Sequence, residues 1–396
     1  MSPRRPPVAP RVPGHLGHLV AVMALISVAA QPLPNVPRQR ITVRTAGTPR
    51  VVEGEVIVEA ADGGLLLRLP DDRYELLDAA AIESRTVTTA PAADDSPRRL
   101  GQRVLAELPA GFDLHLTRHY VVCFDTSREY ARWCAALFER LHEAFGNFWS
   151  RAGLEIVDPP RPLVVVIFSD RQAYEAHAAG ELGRASDRVV GYYNMLSNRV
   201  TTFDLTGRDG VSPPAGRPAG TTGLEILSSP AAAGLVSTLV HEATHQVAFN
   251  RGMHRRLAPV PLWVSEGIAA YFETPDLAHV RGWSGIGAVN RGRLERFLAA
   301  HRPGDIAALV ADDGRFRHAD TGLDAYATAW ALTWHLVETR RTAFVAYLRT
   351  LAAKPPLAAD SPDIRLREFE AAFGADPAAL EQPVARTMAR LATHGR

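Results

Sequence analysis

Two histidines four residues apart, with a glutamate beside the first, occur once in this chain as His241-Glu242-Ala-Thr-His245. On a helix of 3.6 residues per turn such positions differ by about 40° around the axis and about 6 Å along it, so both imidazoles reach one ion. Zinc suits that donor pair. Glu242 falls on a face that approaches water held at the ion without ligating the ion itself, which is where a general base belongs. A third ligand is available in Glu266, 21 positions after His245. Two histidines and one carboxylate leave a fourth zinc position for water, whose pKa such a site lowers from about 15.7 to about 7. The expectation is one Zn2+ per chain, held by His241, His245 and Glu266, with Glu242 as catalytic base.

The elements that must position these groups are legible around them. Leu235 to Phe249 carries apolar residues at 235, 236, 239, 240, 243, 247 and 248, a pattern that predicts a largely buried helix ended by Asn250 and Gly252. Pro261 opens a second helical run, Leu262 to Glu273, that presents Glu266. Glu273, seven residues further along the same face, is expected to be a solvated carboxylate, the other reading being a partner for a ligand histidine. Thr244 is expected to point away from the metal, and Gln246 has no assigned chemistry. The other histidines, His119, His142, His254 and His335 among them, lack ligand spacing to the motif and are expected on the surface or in packing.

The wording of these two stretches resembles a known group. His241-Glu-Ala-Thr-His245 followed by Trp263-Val-Ser-Glu266-Gly-Ile-Ala is similar to the signature of gluzincin metallopeptidases related to aminopeptidase N. His-Glu-Ala-Thr-His-Gln, Trp-Val-Ser-Glu-Gly and Tyr-Phe-Glu together look most like an uncharacterised family of exported bacterial zinc peptidases, over roughly residues 119 to 351. The resemblance implies an α+β fold with a zincin-like core and a mainly helical C-terminal half, and an enzyme that hydrolyses peptide bonds in a peptide or protein substrate. In the aminopeptidase branch a tyrosine in a Y-x-K-G pattern donates a hydrogen bond to the oxyanion. Tyr326-Ala-Thr-Ala-Trp330 is similar in register without the Lys and Gly, so Tyr326 is the second catalytic candidate. Tyr326, Trp330 and Trp334, spaced at four, also fit one packed face of a core helix. The Gly-Ala-Met-Glu-Asn element that holds a free N-terminus is absent, and the nearest run, Gly191-Tyr-Tyr-Asn194, has no carboxylate. Arg199 to Leu205 is a candidate edge strand for an extended substrate.

The rest of the chain frames that unit. Its 396 residues, 46% of them apolar, suffice for a buried core and two domains. Acidic and basic residues nearly cancel at +1, with no long block of one sign, which argues against a nucleic-acid partner. Residues 1–30 combine Arg4, Arg5 and Arg11 with an apolar run, Leu19 to Ala30, shorter than the ~20 residues that span a bilayer. They predict a cleaved signal peptide, export to the periplasm, cell envelope or medium, and no stable membrane span afterwards. Residues 31–92 read as a small all-β domain of barrel or sandwich type, 93–118 as a linker, 119–230 as an α/β part, and 231–396 as the helical catalytic part. Within the α/β part, Gly207 to Pro230 reads as an exposed loop. Cys123 and Cys134 are expected as two buried thiols, with a bridge as the alternative. Two other functions remain open: a catalytically silent zincin-fold protein for binding or adhesion at the cell envelope, and a structural exported protein with no metal.

Overall fold

The computed structural model describes residues 38–45, 48–88, 96–183, 190–206, 232–274 and 285–394. The expected signal peptide and the loop 207–230 lie outside these residues, as does most of the boundary 91–97. The chain is mixed α/β, with an all-β region at its N-terminus and a helical C-terminal half. Among the described residues no helix is long and apolar enough to cross a membrane.

The N-terminal β-region comprises β1 (Gln39–Thr45), β2 (Thr48–Glu59), β3 (Leu65–Arg68), β4 (Tyr74–Leu77) and β5 (Ile82–Val87). They form one antiparallel sheet in the order β4-β3-β2-β1-β5. Within it the long strand β2 pairs with β1 through its first half and with β3 through its second, with a register shift between Val56 and Val58. Alternate residues of β2 from Val52 to Val58 are buried, the period-2 pattern of a strand with one covered face. Ile41, Val43, Val52, Val56, Leu65, Leu67 and Leu77 make a small core of their own.

The second sheet starts earlier than expected. Residues 93–118, expected as a linker, contain α1 (Pro97–Leu105), capped by Ser96, and β6 (Asp113–Leu116), a strand of the sheet. Then follow β7 (Tyr120–Phe124), α2 (Arg128–Arg151), β8 (Leu163–Phe168), α3 (Arg171–Leu182), β9 (Gly191–Asn194) and β10 (Arg199–Phe203). The order is β6-β7-β8-β10-β9, with β7, β8 and β10 parallel and β6 and β9 antiparallel at the edges. Arg199 to Leu205 is therefore not the edge. Its strand is buried along its whole length between β8 and β9, as an interior strand of a covered sheet must be, and the edge on this side is β9. Cys123 on β7 and Cys134 on α2 are free buried thiols, and burial pushes the Cys123 thiol up to about 12.

The helical half holds α4 (Ala233–Asn250), α5 (Leu262–Phe272), α6 (Arg291–Ala300), α7 (Asp305–Ala311), α8 (Gly314–Arg317), α9 (Gly322–Thr339), α10 (Arg341–Ala352), α11 (Pro362–Phe373) and α12 (Glu381–His394). All eleven residues of α5 are buried. Gly267 explains how α9 can pass so close: a Cβ there would collide with Thr333 Oγ1 and stand 2.8 Å from the Ala329 carbonyl. Trp149, Trp263 and Trp330 anchor one core shared by α2, α5 and α9.

Candidate metal centre

Helix α4 lies against β9, β10, α2 and α5. Gln246, without assigned chemistry in the sequence, fixes it to the sheet: its Nε2 donates to the carbonyls of Val164 (2.9 Å) and Asn198 (3.0 Å). Thr244 donates to the Val240 carbonyl at 2.7 Å, the ordinary use of a hydroxyl one turn back along a helix. With the helix so oriented, His241 and His245 both face α5, their ring centroids 4.8 Å apart and their planes at 80°.

The two rings converge on one carboxylate oxygen. His241 Nε2 lies 3.0 Å and His245 Nε2 3.4 Å from Glu266 Oε2. All three side chains are buried, and Glu266 Oε1 has no hydrogen-bond partner among the described residues. A buried carboxylate oxygen left unsatisfied beside two imidazole nitrogens is costly unless something cationic is shared between them. The donor set, two imidazole nitrogens and a carboxylate with nearest donor atoms within 4.8 Å of one another, fits a divalent ion of the zinc type.

Glu273 overturns its expected solvated place. It is 3% exposed, and its Oε2 lies 2.8 Å from His241 Nδ1, while Asn290 Nδ2 (2.7 Å) and Arg293 Nε (2.5 Å) donate to its Oε1. A carboxylate on the far nitrogen fixes the tautomer and plane of a ligand imidazole and raises its basicity. Burial disfavours the His241 imidazolium, but the hydrogen bonds to Glu266 and Glu273 outweigh it and lift its pKa to about 10. Burial likewise works against ionised Glu273, yet Arg293 and His241 hold it down at about 2. The signals of Glu273 in the sequence were its spacing to Glu266 and the Tyr-Phe-Glu wording that ends in it. Asn290 and Arg293 carried none.

Glu242, half-buried, points to the edge strand instead, where Tyr193 N–H donates to its Oε2 at 2.8 Å. Burial pushes its carboxyl above the ordinary value, against the pull of His241 and His245. Its basicity is thereby raised, the direction a base needs to work near neutrality. Tyr326 stands on α9 with its ring centroid 6.4 Å from that of His241, and the Arg293 guanidinium lies 5.5 Å from the Tyr326 ring. Sequence candidates Glu242, Tyr326, His241, His245 and Glu266 thus gather at one place. His335 does not join them: its Nδ1 lies 2.9 Å from Thr387 Oγ1 on α12. His254, buried with both ring nitrogens unpartnered among the described residues, packs against Phe249.

No curated protein matches the sequence. Residues 235–358, which carry all five candidate residues, match the model of a family described as a protein of unknown function, DUF1570.

Proposed function

We propose that this protein is an exported zinc-dependent metallopeptidase of the gluzincin type with a zincin-like core. The observation that carries the reading is the convergence of His241 Nε2 and His245 Nε2 on Glu266 Oε2, with Glu242 outside that trio yet beside it. Zinc bound there would supply a Lewis acid that polarises a carbonyl and acidifies water. The chain's own groups do the rest. Glu242 takes the proton of the attacking water and returns it to the leaving amine. Tyr326 donates its hydroxyl proton toward the developing oxyanion. Edge strand β9 borders the site and can extend its ladder to an unfolded peptide. Export rests on residues 1–30.

The test is zinc content and cleavage of an unstructured protein such as casein, on wild type, Glu266→Ala and Glu242→Gln. One zinc per chain is expected for wild type and Glu242→Gln and less for Glu266→Ala. Cleavage should fall about 10²- to 10⁴-fold in Glu242→Gln, the range of a general base. Stoichiometric zinc without cleavage in wild type would favour the silent binding protein. No zinc after reconstitution would end the reading.

A further inference from the structure

The edge strand that touches Glu242 is held at its far end by the N-terminal β-region. The β9–β10 turn ends in Asn198, whose φ of +58° puts it in the left-handed region. Its side chain is saturated: Nδ2 donates to Asp72 Oδ2 (2.7 Å) and to Asn250 Oδ1 (2.8 Å), while Oδ1 accepts from the Tyr193 hydroxyl (2.7 Å) and from Asn250 Nδ2 (2.7 Å). Asp72, at φ +67° in the β3–β4 turn, is fixed in return by Arg256, which donates to its carboxylate (3.1 Å) and its carbonyl (2.9 Å). One bond along, Tyr74 N–H donates to the Leu196 carbonyl at 2.7 Å, and the Arg256 guanidinium lies 3.8 Å from the Tyr74 ring. Val58 and Leu66 pack on Leu257 beneath these contacts, with Met195 and Leu196 of the turn against them.

We propose that the N-terminal β-region is a positioning module for the hydrolytic site. Its Asp72 turn grips Asn198, Asn198 holds the Tyr193 hydroxyl, and Tyr193 presents its backbone N–H to Glu242. The side chain that holds the strand and the amide that holds the base belong to the same residue, so a slip of the hairpin moves both. Asp72, Asn198 and Tyr193 are positioning residues, and the clamp depends on the peptidase reading only for its effect on turnover.

The test compares wild type, Asp72→Gly and Asp72→Asn as whole zinc-loaded proteins, by amide hydrogen exchange resolved by mass spectrometry. Glycine strips the carboxylate while suiting the positive φ, so turn strain does not confound the result. Asparagine keeps an oxygen for Asn198. In Asp72→Gly, exchange across residues 191–199 should rise about tenfold, with α4 and zinc content unchanged, and Asp72→Asn should restore most of the protection. Turnover of a casein-derived peptide should show kcat falling in Asp72→Gly with KM held, and rescue in Asp72→Asn. Unchanged exchange in 191–199, or a uniform rise over the whole chain, would overturn the clamp. A wild type that cleaves nothing would remove the peptidase reading, and the exchange contrast would still decide the clamp.

Discussion

Two groups among the described residues have the composition of a metal site, and their geometries differ. His241 and His245 of α4 meet Glu266 of α5, while His142 of α2 meets His119 and Asp158, and in both the nearest donor atoms lie within 4.8 Å. In the first the rings stand nearly edge to face, at 80°, and both Nε2 atoms meet one carboxylate oxygen. In the second they stack 4.0 Å apart at 21°. Imidazole lone pairs lie in the ring plane, so stacked rings aim them side by side and cannot close a tetrahedron on one ion. Asp158 Oδ1 moreover accepts from the Arg251 guanidinium at 2.6 Å, which already supplies it with a cation. Even the surroundings match: Glu139 faces His119 Nδ1 at 2.6 Å as Glu273 faces His241, and Tyr120 stands 6.2 Å from the His142 ring as Tyr326 stands near His241. Residue types and proximity are shared; what separates the two groups is the angle between the rings and the convergence of both Nε2 atoms on one carboxylate oxygen.

The sharpest way to break that contrast is to delete one histidine from each group. His245→Ala is expected to remove zinc and cleavage together, whereas His119→Ala leaves one zinc per chain, both read by elemental analysis. Zinc lost from His119→Ala would mean that the stacked pair also binds. The tyrosines come next: Tyr326→Phe should cost about 10²- to 10³-fold in kcat, the usual loss of one oxyanion donor, with KM and zinc content little changed. Tyr120→Phe, whose hydroxyl is buried without a partner among the described residues, should leave turnover as it is. Smaller again is the effect of the orienting carboxylates. Glu273→Gln should weaken zinc binding about 10- to 100-fold in competition with a chelator. Glu139→Gln should instead lower stability by about 1.5–3 kcal/mol without touching the metal, because Glu139 accepts from Thr117 and from the His119 amide as well as from its ring.

These pairs also show what could be seen in the sequence. That His241 and His245 share one face of a helix with Glu242 beside them was legible because helix spacing is local. Strand β8 was visible for the same reason, as an uninterrupted Leu163–Phe168 run. The place of β10 within its sheet was not, since an apolar run tells that a strand is covered but not which neighbour it has, and strand order is set by a parallel pairing with β8 across the whole of α3. Glu273 looked like a surface carboxylate because its partners Asn290 and Arg293 lie across a long stretch of chain. The grip of Asp72 on Asn198 joins residues 126 positions apart and two regions that the sequence presents as separate. Residues 97–116, short and rich in charge, resembled a linker because their apolar residues face the sheet only once the sheet exists.

The smallest effect concerns the stacked pair itself and gives it a role of its own. His142 is 1% exposed, its Nε2 has no partner among the described residues, and burial, reinforced by Arg251 and His119, drives its pKa down to about 3. The folded state therefore prefers His142 neutral, and the unfolded chain, where the ring titrates near its ordinary 6.5, takes up a proton first. The stability this group supports is complete above about pH 6.5 and drains away as the pH falls towards 3. His142→Leu, which keeps the volume and the helix, should unfold within about 1 kcal/mol of wild type at pH 7 and keep its zinc, while losing less stability than wild type on going from pH 7 to pH 5. Denaturant melts at the two pH values measure this directly. Equal acid sensitivity in the two proteins would mean that His142 finds a partner for its proton in the fold, and the stacked pair would then resemble the His241, His245 and Glu266 group more closely than its ring angle allows.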